Sequence, residues 1–268
     1  MSIKIIHFSD LHIPAKIDGI SSFFDKRALG ILNYHFRRKN EFSLEKIPEI
    51  ISFILNEKPD IIICTGDLTS TGQPTEFKDA LEYLTPIIDS DIPLLFTPGN
   101  HDAYVKRKKC QDALKDSFDI LNSKANIKYQ DKVSSFQIKD YNFIVVNEAK
   151  PTNPFLSCGY LDEISNELLK KELEKKLKHI IVGHFPIIED ENIKTFRRRL
   201  NGKQEIKKLL EAGEFDLSLC GHIHRPYTKS KDGILREVCC GSITKNKTIS
   251  IIEYDEINNN FNNNTIQF

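Results

Sequence analysis

The apolar residues of this chain fall into short continuous runs separated by amphipathic stretches. The runs lie at residues 3–9, 60–65, 93–96, 179–183 and 216–220. Runs of this kind, without polar alternation, are typical of parallel strands that are buried on both faces. Residues 43–56 and 75–89 instead place apolar side chains at helical spacing, with Thr75 as the expected N-cap. The pattern predicts an α/β fold in which helices cover a parallel sheet.

The remaining segments complete this outline. Residues 133–147 predict a β-hairpin, and residues 162–178 and 193–211 predict two charged helices. The tail, residues 255–268, is rich in asparagine, and we predict a polar loop there before a last short strand. No internal repeat or long linker divides the chain, so residues 1–268 are expected to form a single domain.

Composition narrows the class of protein. Lys plus Arg and Asp plus Glu both number 38, and this zero net charge argues against a nucleic-acid-binding protein. No apolar run approaches the roughly 20 residues of a membrane span, and no signal-peptide pattern is present, so we expect a cytoplasmic protein. The six cysteines show no pairing at ligand spacing, which favours free thiols over disulfides or a zinc–thiolate site.

Residues with carboxylate, amide or imidazole side chains follow five of the predicted strands. The segments are Asp10-Leu11-His12, Gly66-Asp67, Gly99-Asn100-His101-Asp102, Gly183-His184 and Gly221-His222-Ile223-His224. The carboxyl ends of parallel strands meet at one edge of a sheet, so these side chains are expected to converge. Carboxylate, amide and imidazole ligands suit Mn, Fe or Zn. Two clusters of ligands suggest two ions, with Asp67 bridging them at roughly 3.5–4 Å separation.

Three further histidines lie outside these segments. His7, His35 and His179 are expected to be ordinary core or surface residues. Five of the eight histidines nevertheless fall in the strand-end segments, and this concentration is what makes the set informative.

Taken in order, the five segments resemble the motifs of the calcineurin-like metallophosphoesterase superfamily, over residues 10 to 224. The resemblance implies an αββα sandwich of two mixed β-sheets flanked by helices, with a dinuclear metal site at the carboxyl ends of the strands. It implies a first metal held by Asp10, His12 and His224, a second held by Asn100, His184 and His222, and Asp67 bridging both. His101 would protonate the leaving oxygen, and Asn100 would also contact the phosphate. Asp102 would either orient His101 or stabilise the turn.

The implied activity is hydrolysis of a phosphodiester or pyrophosphate bond, with a metal-bridging hydroxide as nucleophile. The expected cofactors are two divalent ions, manganese foremost, with iron and zinc as alternatives. Gly66-Asp67 is not followed by the Asp-Arg-Gly run of the serine/threonine protein phosphatases. His101 stands where the proteobacterial-type UDP-diacylglucosamine pyrophosphatases carry arginine. The spacing is most similar to that of the class III cyclic-nucleotide phosphodiesterases, so a small phosphodiester or nucleotide is the expected substrate.

One stretch departs from a compact phosphodiesterase. Residues 23–38 predict a basic amphipathic helix in which Arg27 and Arg38 share a stripe, as do Lys26 and Arg37. This insertion either packs on its own core or faces a substrate phosphate or an anionic lipid surface. The second interpretation makes Arg27 and Arg38 substrate-binding residues.

That second interpretation fits a UDP-2,3-diacylglucosamine pyrophosphatase of lipid A biosynthesis. Such an enzyme would act on a lipid-linked diphosphate, with peripheral contact at the inner membrane surface. A further alternative from another class is a non-catalytic scaffold that retains the fold. The presence of every ligand and of His101 argues against it.

Overall fold

Strands and helices alternate along most of the described chain, and each strand run predicted above corresponds to a strand. The computed structural model describes residues 2–15, 17, 19, 25–34, 41–153, 156–188 and 198–268. The strands are β1 (Lys4–Phe8), β2 (Ile61–Cys64), β3 (Leu94–Phe96), β4 (Val133–Ile138), β5 (Tyr141–Val146), β6 (Gly159–Tyr160), β7 (Lys178–Val182), β8 (Leu200–Asn201), β9 (Leu217–Cys220), β10 (Pro226–Lys231), β11 (Ile234–Cys240), β12 (Thr248–Asp255) and β13 (Asn260–Gln267). The α-helices are α1 (Lys26–Asn33), α2 (Ile47–Asn56), α3 (Pro74–Asp89), α4 (Lys108–Leu121), α5 (Glu163–Glu172) and α6 (Gln204–Ala212).

Two mixed sheets carry the fold. The five-stranded sheet has the order β13-β12-β1-β2-β3, in which β1, β2 and β3 are parallel and β12 runs antiparallel to β1. The six-stranded sheet has the order β10-β11-β9-β7-β5-β4, with the parallel strands in the middle and an antiparallel hairpin at each edge. A small parallel pair, β6 and β8, completes the arrangement. The predicted fold class is confirmed.

The main core lies between the two sheets. Alternate residues of β5 and β7 point to opposite faces. Phe143 and Ile180 join the large core shared with the five-stranded sheet and helices α2, α3 and α4. Ile144 and Ile181 instead pack with apolar residues of α5 and α6. The six-stranded sheet is therefore buried on both faces, as its apolar strand runs predicted.

Three local predictions were wrong in their bounds. Helix α3 begins at Pro74 with Gln73 as N-cap, because proline lacks the N–H that a first helical position leaves unpaired; Thr75 lies inside the first turn. The predicted polar loop is shorter than expected and the last strand longer, since residues 260–264 are five of the eight residues of β13 and pair along β12. Within the predicted helix at 193–211, Leu200–Asn201 form β8 and helix α6 starts only at Gln204; residues 189–197 lie outside the described part.

The insertion at residues 23–38 contains helix α1. Its N-cap Asp25 accepts a hydrogen bond from the Arg27 backbone N–H. The Arg27 side chain is only 3% exposed and its guanidinium pairs with the Asp25 carboxylate at 2.9 Å. Arg27 therefore does not belong to an exposed basic stripe, and this prediction is corrected: the arginine is committed to a buried ion pair instead of a substrate or a lipid surface. Arg37 and Arg38 lie outside the described residues.

No helix within the described ranges is both long enough and apolar enough to cross a membrane.

Candidate metal centre

The five polar segments lie where five strands end. Asp10 follows β1, Asp67 follows β2, Asn100 follows β3, His184 follows β7, and His222 follows β9. Because β1, β2 and β3 are adjacent parallel strands, their three segments emerge side by side. Strands β7 and β9 are neighbours in the second sheet, and their ends face the same region from the other side of the core. The convergence predicted from the sequence is present.

The converging side chains form two ligand clusters that share one residue. The first cluster contains Asp10, His12, Asp67 and His224, and the second contains Asp67, His184 and His222. In each cluster, one ligand atom per residue lies within 4.8 Å of all the others. Asp67 belongs to both clusters, which is the position that a bridging carboxylate requires.

Imidazole nitrogens and carboxylate oxygens face one another across these clusters. The His184 Nε2 lies 3.4 Å from Oδ2 of Asp67, and the His12 Nε2 lies 3.6 Å from the same oxygen. Burial alone would raise the pKa of Asp67, but the nearby His184 and His101 outweigh it and hold that pKa well below its usual range. Burial likewise opposes the charged form of His184, yet Asp67 raises the pKa of His184 to about 10. Asp67 and His184 therefore each favour the charged form of the other.

Hydrogen bonds on the far side of each ring fix which nitrogen faces the cluster. The Nδ1 of His12 lies 3.2 Å from the Thr69 carbonyl oxygen, and the Nδ1 of His184 lies 2.6 Å from that of Thr65. A carbonyl oxygen only accepts, so each Nδ1 must carry a proton, and Nε2 is the nitrogen of each ring that would ligate a metal. His222 is reversed, because its Nε2 lies 3.1 Å from the Arg198 carbonyl oxygen.

Several buried ligand atoms make no hydrogen bond of good geometry within the described structure, although Oδ1 of Asp10 lies 3.1 Å from Nε2 of His224 and Oδ2 of Asp67 lies 3.4 Å from Nε2 of His184. They are Oδ1 of Asp10, Oδ2 of Asp67, Oδ1 of Asn100 and Nε2 of His184. The second oxygens of both aspartates are satisfied, since Oδ2 of Asp10 accepts from the His222 N–H at 3.0 Å and Oδ1 of Asp67 accepts from the His101 N–H at 2.7 Å. An unpaired buried acceptor costs about 1–3 kcal/mol, and cations would remove that cost. The donor set therefore fits two divalent metal ions.

The backbone at the candidate ligands is strained. Five of them adopt positive φ angles: Asp10 (57°), His12 (47°), Asp67 (54°), His222 (69°) and His224 (54°). The left-handed region is uncommon for residues other than glycine and costs of order 1–3 kcal/mol when the surroundings impose it. Five of the eleven non-glycine residues with positive φ in the described chain are therefore candidate ligands at these strand ends.

Two glycines allow the segments to approach. A Cβ on Gly99 would lie 2.2 Å from Oδ1 of Asp67, and a Cβ on Gly221 would lie 2.0 Å from Oγ of Ser9. Both are far inside van der Waals contact, so any larger residue would push a strand end away. Glycine is needed here for close approach.

His101 lies at the edge of this centre and lines a pocket of about 430 Å³. Its Nδ1 lies 2.6 Å from the Ser70 carbonyl oxygen, and its ring stacks on Tyr104 with centroids 5.4 Å apart. The same pocket is lined by Phe42 and by three cationic side chains, Arg198, Arg225 and Lys245.

Asp102 stabilises the turn. Its carboxylate is fully buried and accepts from the Gly99 and Thr69 backbone N–H groups, both at 3.0 Å. Its Oδ1 also lies 3.1 Å from the Thr69 hydroxyl oxygen. Of the two roles open in the sequence, the geometry favours the structural one.

Sequence patterns did not reveal three buried glutamates that hold the loops of this region. Glu76 accepts from the N–H groups of Ser70 and Thr71, Glu148 from those of His184 and Phe185, and Glu237 from those of Ile187 and Ile188. Each carboxylate accepts hydrogen bonds from two consecutive backbone N–H groups, either of a segment distant in sequence or across a tight turn. A glutamate inside a helix, inside a strand or just after one gives no local sign of this, so a prediction would have required knowledge of the fold.

Comparison with known proteins places this centre in a family. The family model for calcineurin-like phosphoesterases matches residues 3–226. A 3',5'-cyclic-nucleotide phosphodiesterase of Nostoc sp. is 25% identical over 67% of this chain and 61% of its own length. A component of the nuclease SbcCD of Staphylococcus epidermidis is 22% identical over 84% of this chain and 58% of its own length. The chain thus spans about 60% of the length of these relatives.

A solved structure supports the same fold. A dimetal phosphatase from Danio rerio aligns over 99% of both chains with a TM-score of 0.60 and 10% sequence identity. At that identity the likeness concerns the fold alone. The family model covers most of the chain and includes all five strand-end segments. The chain belongs to the calcineurin-like phosphoesterase family.

Proposed function

We propose that this protein is a metal-dependent hydrolase of small phosphodiesters, of which nucleotides are the first candidates. The observation that carries the proposal is the pair of ligand clusters sharing Asp67, with His101 beside them in an open pocket. The first metal would be held by Asp10, His12 and His224, and the second by Asn100, His184 and His222, with Asp67 between them. Manganese is the first ion to test, followed by iron and zinc.

Bound divalent ions would supply Lewis-acid charge at the phosphoryl oxygens and a nucleophilic water near neutral pH. The side chains supply the rest. His101 donates its Nδ1–H to the Ser70 carbonyl, so its Nε2 is the nitrogen available to the leaving group. In its protonated form, His101 protonates the departing alkoxide as general acid, a role typically worth 10²–10⁴-fold in rate.

The pocket walls favour an anionic substrate. Arg198, Arg225 and Lys245 all line it, and Lys245 pairs with Glu41 at 2.7 Å. These cations add to the charge that metals would bring. A phosphodiester with a sugar or nucleobase arm matches a pocket of about 430 Å³ that also presents the Phe42 ring.

The test is hydrolysis by manganese-loaded protein of bis(p-nitrophenyl) phosphate, cyclic AMP and a single-stranded DNA oligonucleotide. We expect turnover of the small diesters that Asp67→Asn lowers by about 100-fold or more, and turnover of cyclic AMP, whose alkoxide leaving group needs the proton, that His101→Ala lowers as much. Turnover that neither substitution changes would overturn the proposal. Preferential cleavage of the oligonucleotide would instead favour the activity named for the staphylococcal relative.

A second candidate is a lipid-linked pyrophosphate such as UDP-2,3-diacylglucosamine. The observation that favours it is the apolar surface of α1, where Leu29 and Leu32 are 48% and 52% exposed. Residues three apart on a helix lie on the same face, so the two leucines form one apolar patch. Such a patch on the insertion suits contact with acyl chains.

Substitution of this patch separates the two candidates. Leu29→Ser combined with Leu32→Ser should lower cleavage of the lipid substrate in detergent while leaving bis(p-nitrophenyl) phosphate turnover unchanged. Ile120→Ser is the matched control, because Ile120 is 43% exposed on α4, outside the insertion. Equal losses on both substrates, or no cleavage of the lipid substrate at all, would exclude the lipid candidate.

A further inference from the structure

We propose that Glu76 is a positioning residue for His101, acting through the main chain of Ser70. The inference rests on the proposed function, because it assigns to His101 the proton-donor role given above. Glu76 lies in the first turn of α3, fully buried, and none of the sequence motifs includes it.

The Glu76 carboxylate fixes the loop that follows Asp67. Its Oε2 accepts from the backbone N–H of Ser70 at 2.9 Å and from that of Thr71 at 2.7 Å. Its Oε1 accepts from the Thr71 hydroxyl. These three hydrogen bonds hold the loop more firmly than main-chain contacts alone would.

Ser70 passes this constraint to His101. The Ser70 carbonyl shares one planar peptide unit with the Thr71 N–H, which Glu76 holds at 2.7 Å, and its oxygen lies 2.6 Å from Nδ1 of His101. The Ser70 hydroxyl donates to the Ile13 carbonyl at 2.7 Å, which anchors the residue from a third direction. The orientation of the Ser70 carbonyl is thereby determined, and with it the hydrogen bond that His101 can make.

The two loops are also locked together beside this contact. The Thr69 hydroxyl donates to the His101 carbonyl at 2.9 Å, and the Gly72 N–H donates to the Thr69 hydroxyl at 3.1 Å. A Cβ on Gly72 would lie 2.8 Å from the Asp102 carbonyl oxygen, so the loops are in close contact. Displacement of residues 70–71 would therefore be transmitted to the His101 ring and not absorbed between the loops.

The consequence is control of the tautomer and direction of His101. A carbonyl oxygen at Nδ1 requires that nitrogen to carry hydrogen, which leaves Nε2 to exchange the proton with the leaving group. Without Glu76, the Ser70 peptide is free to rotate and the ring loses its fixed acceptor. Small displacements of a proton donor lower the rate steeply, because proton transfer depends on geometry.

The test is a double-mutant cycle with Glu76→Ala and His101→Ala, measured as kcat on manganese-loaded protein. The substrates are methyl p-nitrophenyl phosphate and methyl phenyl phosphate, whose leaving phenolate is the stronger base and needs the proton more. We expect Glu76→Ala to lower kcat by about tenfold on the phenyl ester and by less on the nitrophenyl ester. In the His101→Ala background the same substitution should lower kcat less than about twofold, because the two residues act as one unit.

Glu237→Ala is the matched control. Glu237 is also fully buried and also accepts from two consecutive backbone N–H groups and one hydroxyl, those of Ile187, Ile188 and Tyr227. Its loss should act independently of His101→Ala and equally on both esters. If Glu76→Ala does not fold, Glu76→Gln replaces it in the same cycle. Its amide oxygen still accepts from the two backbone N–H groups, so this variant should keep most of the wild-type kcat on the phenyl ester.

Two results overturn the inference, and they differ from failure of the proposed function. Suppose that His101→Ala lowers kcat, and that Glu76→Ala lowers kcat by the same factor in the His101→Ala background as in the wild type, equally on both esters. Glu76 is then merely structural. If Glu76→Gln is as impaired as Glu76→Ala while both remain folded, the acceptor geometry is not what matters. If His101→Ala itself has no effect on either ester, the proton-donor role fails and the positioning claim fails with it.

Discussion

The backbone N–H of His101 donates to Oδ1 of Asp67 at 2.7 Å. This bond joins the carboxylate shared by both ligand clusters to the turn that carries the proposed proton donor. Because Oδ1 is occupied in this way, Oδ2 is left as the atom that faces His12 and His184. The two oxygens of Asp67 thus differ in their surroundings: Oδ1 accepts from the turn that carries His101, and Oδ2 faces the histidines of both ligand clusters.

Substitution of Asp67 by asparagine separates these tasks. The Asn side-chain oxygen can still accept from the His101 N–H, but the negative charge at the shared position is lost. We expect manganese to raise the melting temperature of the wild-type protein and to raise that of Asp67→Asn much less, because stabilisation by a ligand follows its affinity. Thermal unfolding with and without manganese measures this. An equal manganese-induced shift in both proteins would contradict a ligand role for Asp67.

Glu148 should control metal affinity through His184. Its Oε2 accepts from the His184 N–H at 3.0 Å and the Phe185 N–H at 2.9 Å, so it fixes the start of the loop that presents His184. Loss of such an outer partner typically costs about 10–100-fold in metal affinity. We expect that loss for Glu148→Ala in a manganese titration, and a smaller one for Glu148→Gln, which keeps an acceptor. Unchanged affinity in a folded Glu148→Ala protein would refute the assignment.

The metal-free protein should be sensitive to acid through His7. Burial lowers the pKa of His7 to about 3, although Asp10 opposes this, whereas the unfolded chain titrates near 6.5. Between these pH values the unfolded state binds the extra proton, so stability is present above about pH 6.5 and falls as the pH decreases towards 3. The slope from one such group is about 1.4 kcal/mol per pH unit.

We expect His7→Gln, measured by urea unfolding in EDTA between pH 6.5 and 4.5, to lose stability less steeply than the wild type by about 1 kcal/mol per pH unit. In the wild type, Nε2 of His7 lies 2.8 Å from the Thr65 hydroxyl oxygen. If the glutamine side chain does not make this contact, the free energy of unfolding of the variant at pH 7 is lower than that of the wild type. Parallel slopes in the two proteins would show that His7 is not the acid-sensitive group.

Arg27 should stabilise the insertion without affecting the chemistry. It pairs with Asp25 from a buried position, whereas Arg107 pairs with the same carboxylate from a position that is 46% exposed. Arg27→Ala is expected to reduce unfolding free energy by about 1–3 kcal/mol, since it removes a buried partner. Arg107→Ala should cost less than about 1 kcal/mol, as exposed pairs do. Denaturant unfolding compares them, and equal costs would contradict the burial argument.

The strands and the candidate ligands were predicted correctly where neighbouring residues in the sequence were sufficient to indicate them. Strand β2 is continuously apolar and β1 is interrupted only by Lys4 and His7, because both faces are covered, and the segments after them carry the candidate ligands. The first part of strand β13 was missed because its asparagines have little strand preference. Those residues form a strand because the edge of β12 offers hydrogen-bonding partners, which is information from a distant segment.

The supporting residues were missed for a similar reason. Glu76 and Glu148 act by accepting from backbone amides, and any glutamate can do this if the fold brings an amide to it. The amphipathic pattern of residues 23–38 correctly indicated a helix, now seen at Lys26–Asn33, but it could not show that Arg27 points inward to Asp25. Hydrophobic periodicity assumes that the charged residues of a helix lie on its exposed face. A charged residue in a buried ion pair, such as Arg27, does not follow that rule.

The central claim is that five strand ends assemble a centre for two metal ions that share Asp67. The most direct measurement is the number of manganese ions retained per chain after gel filtration, determined by inductively coupled plasma mass spectrometry on the wild type and on Asp67→Asn. Such a centre predicts about two ions per wild-type chain and fewer than one in the variant, because the shared carboxylate serves both sites. One ion or none in the wild type, or an unchanged number in the variant, would contradict it.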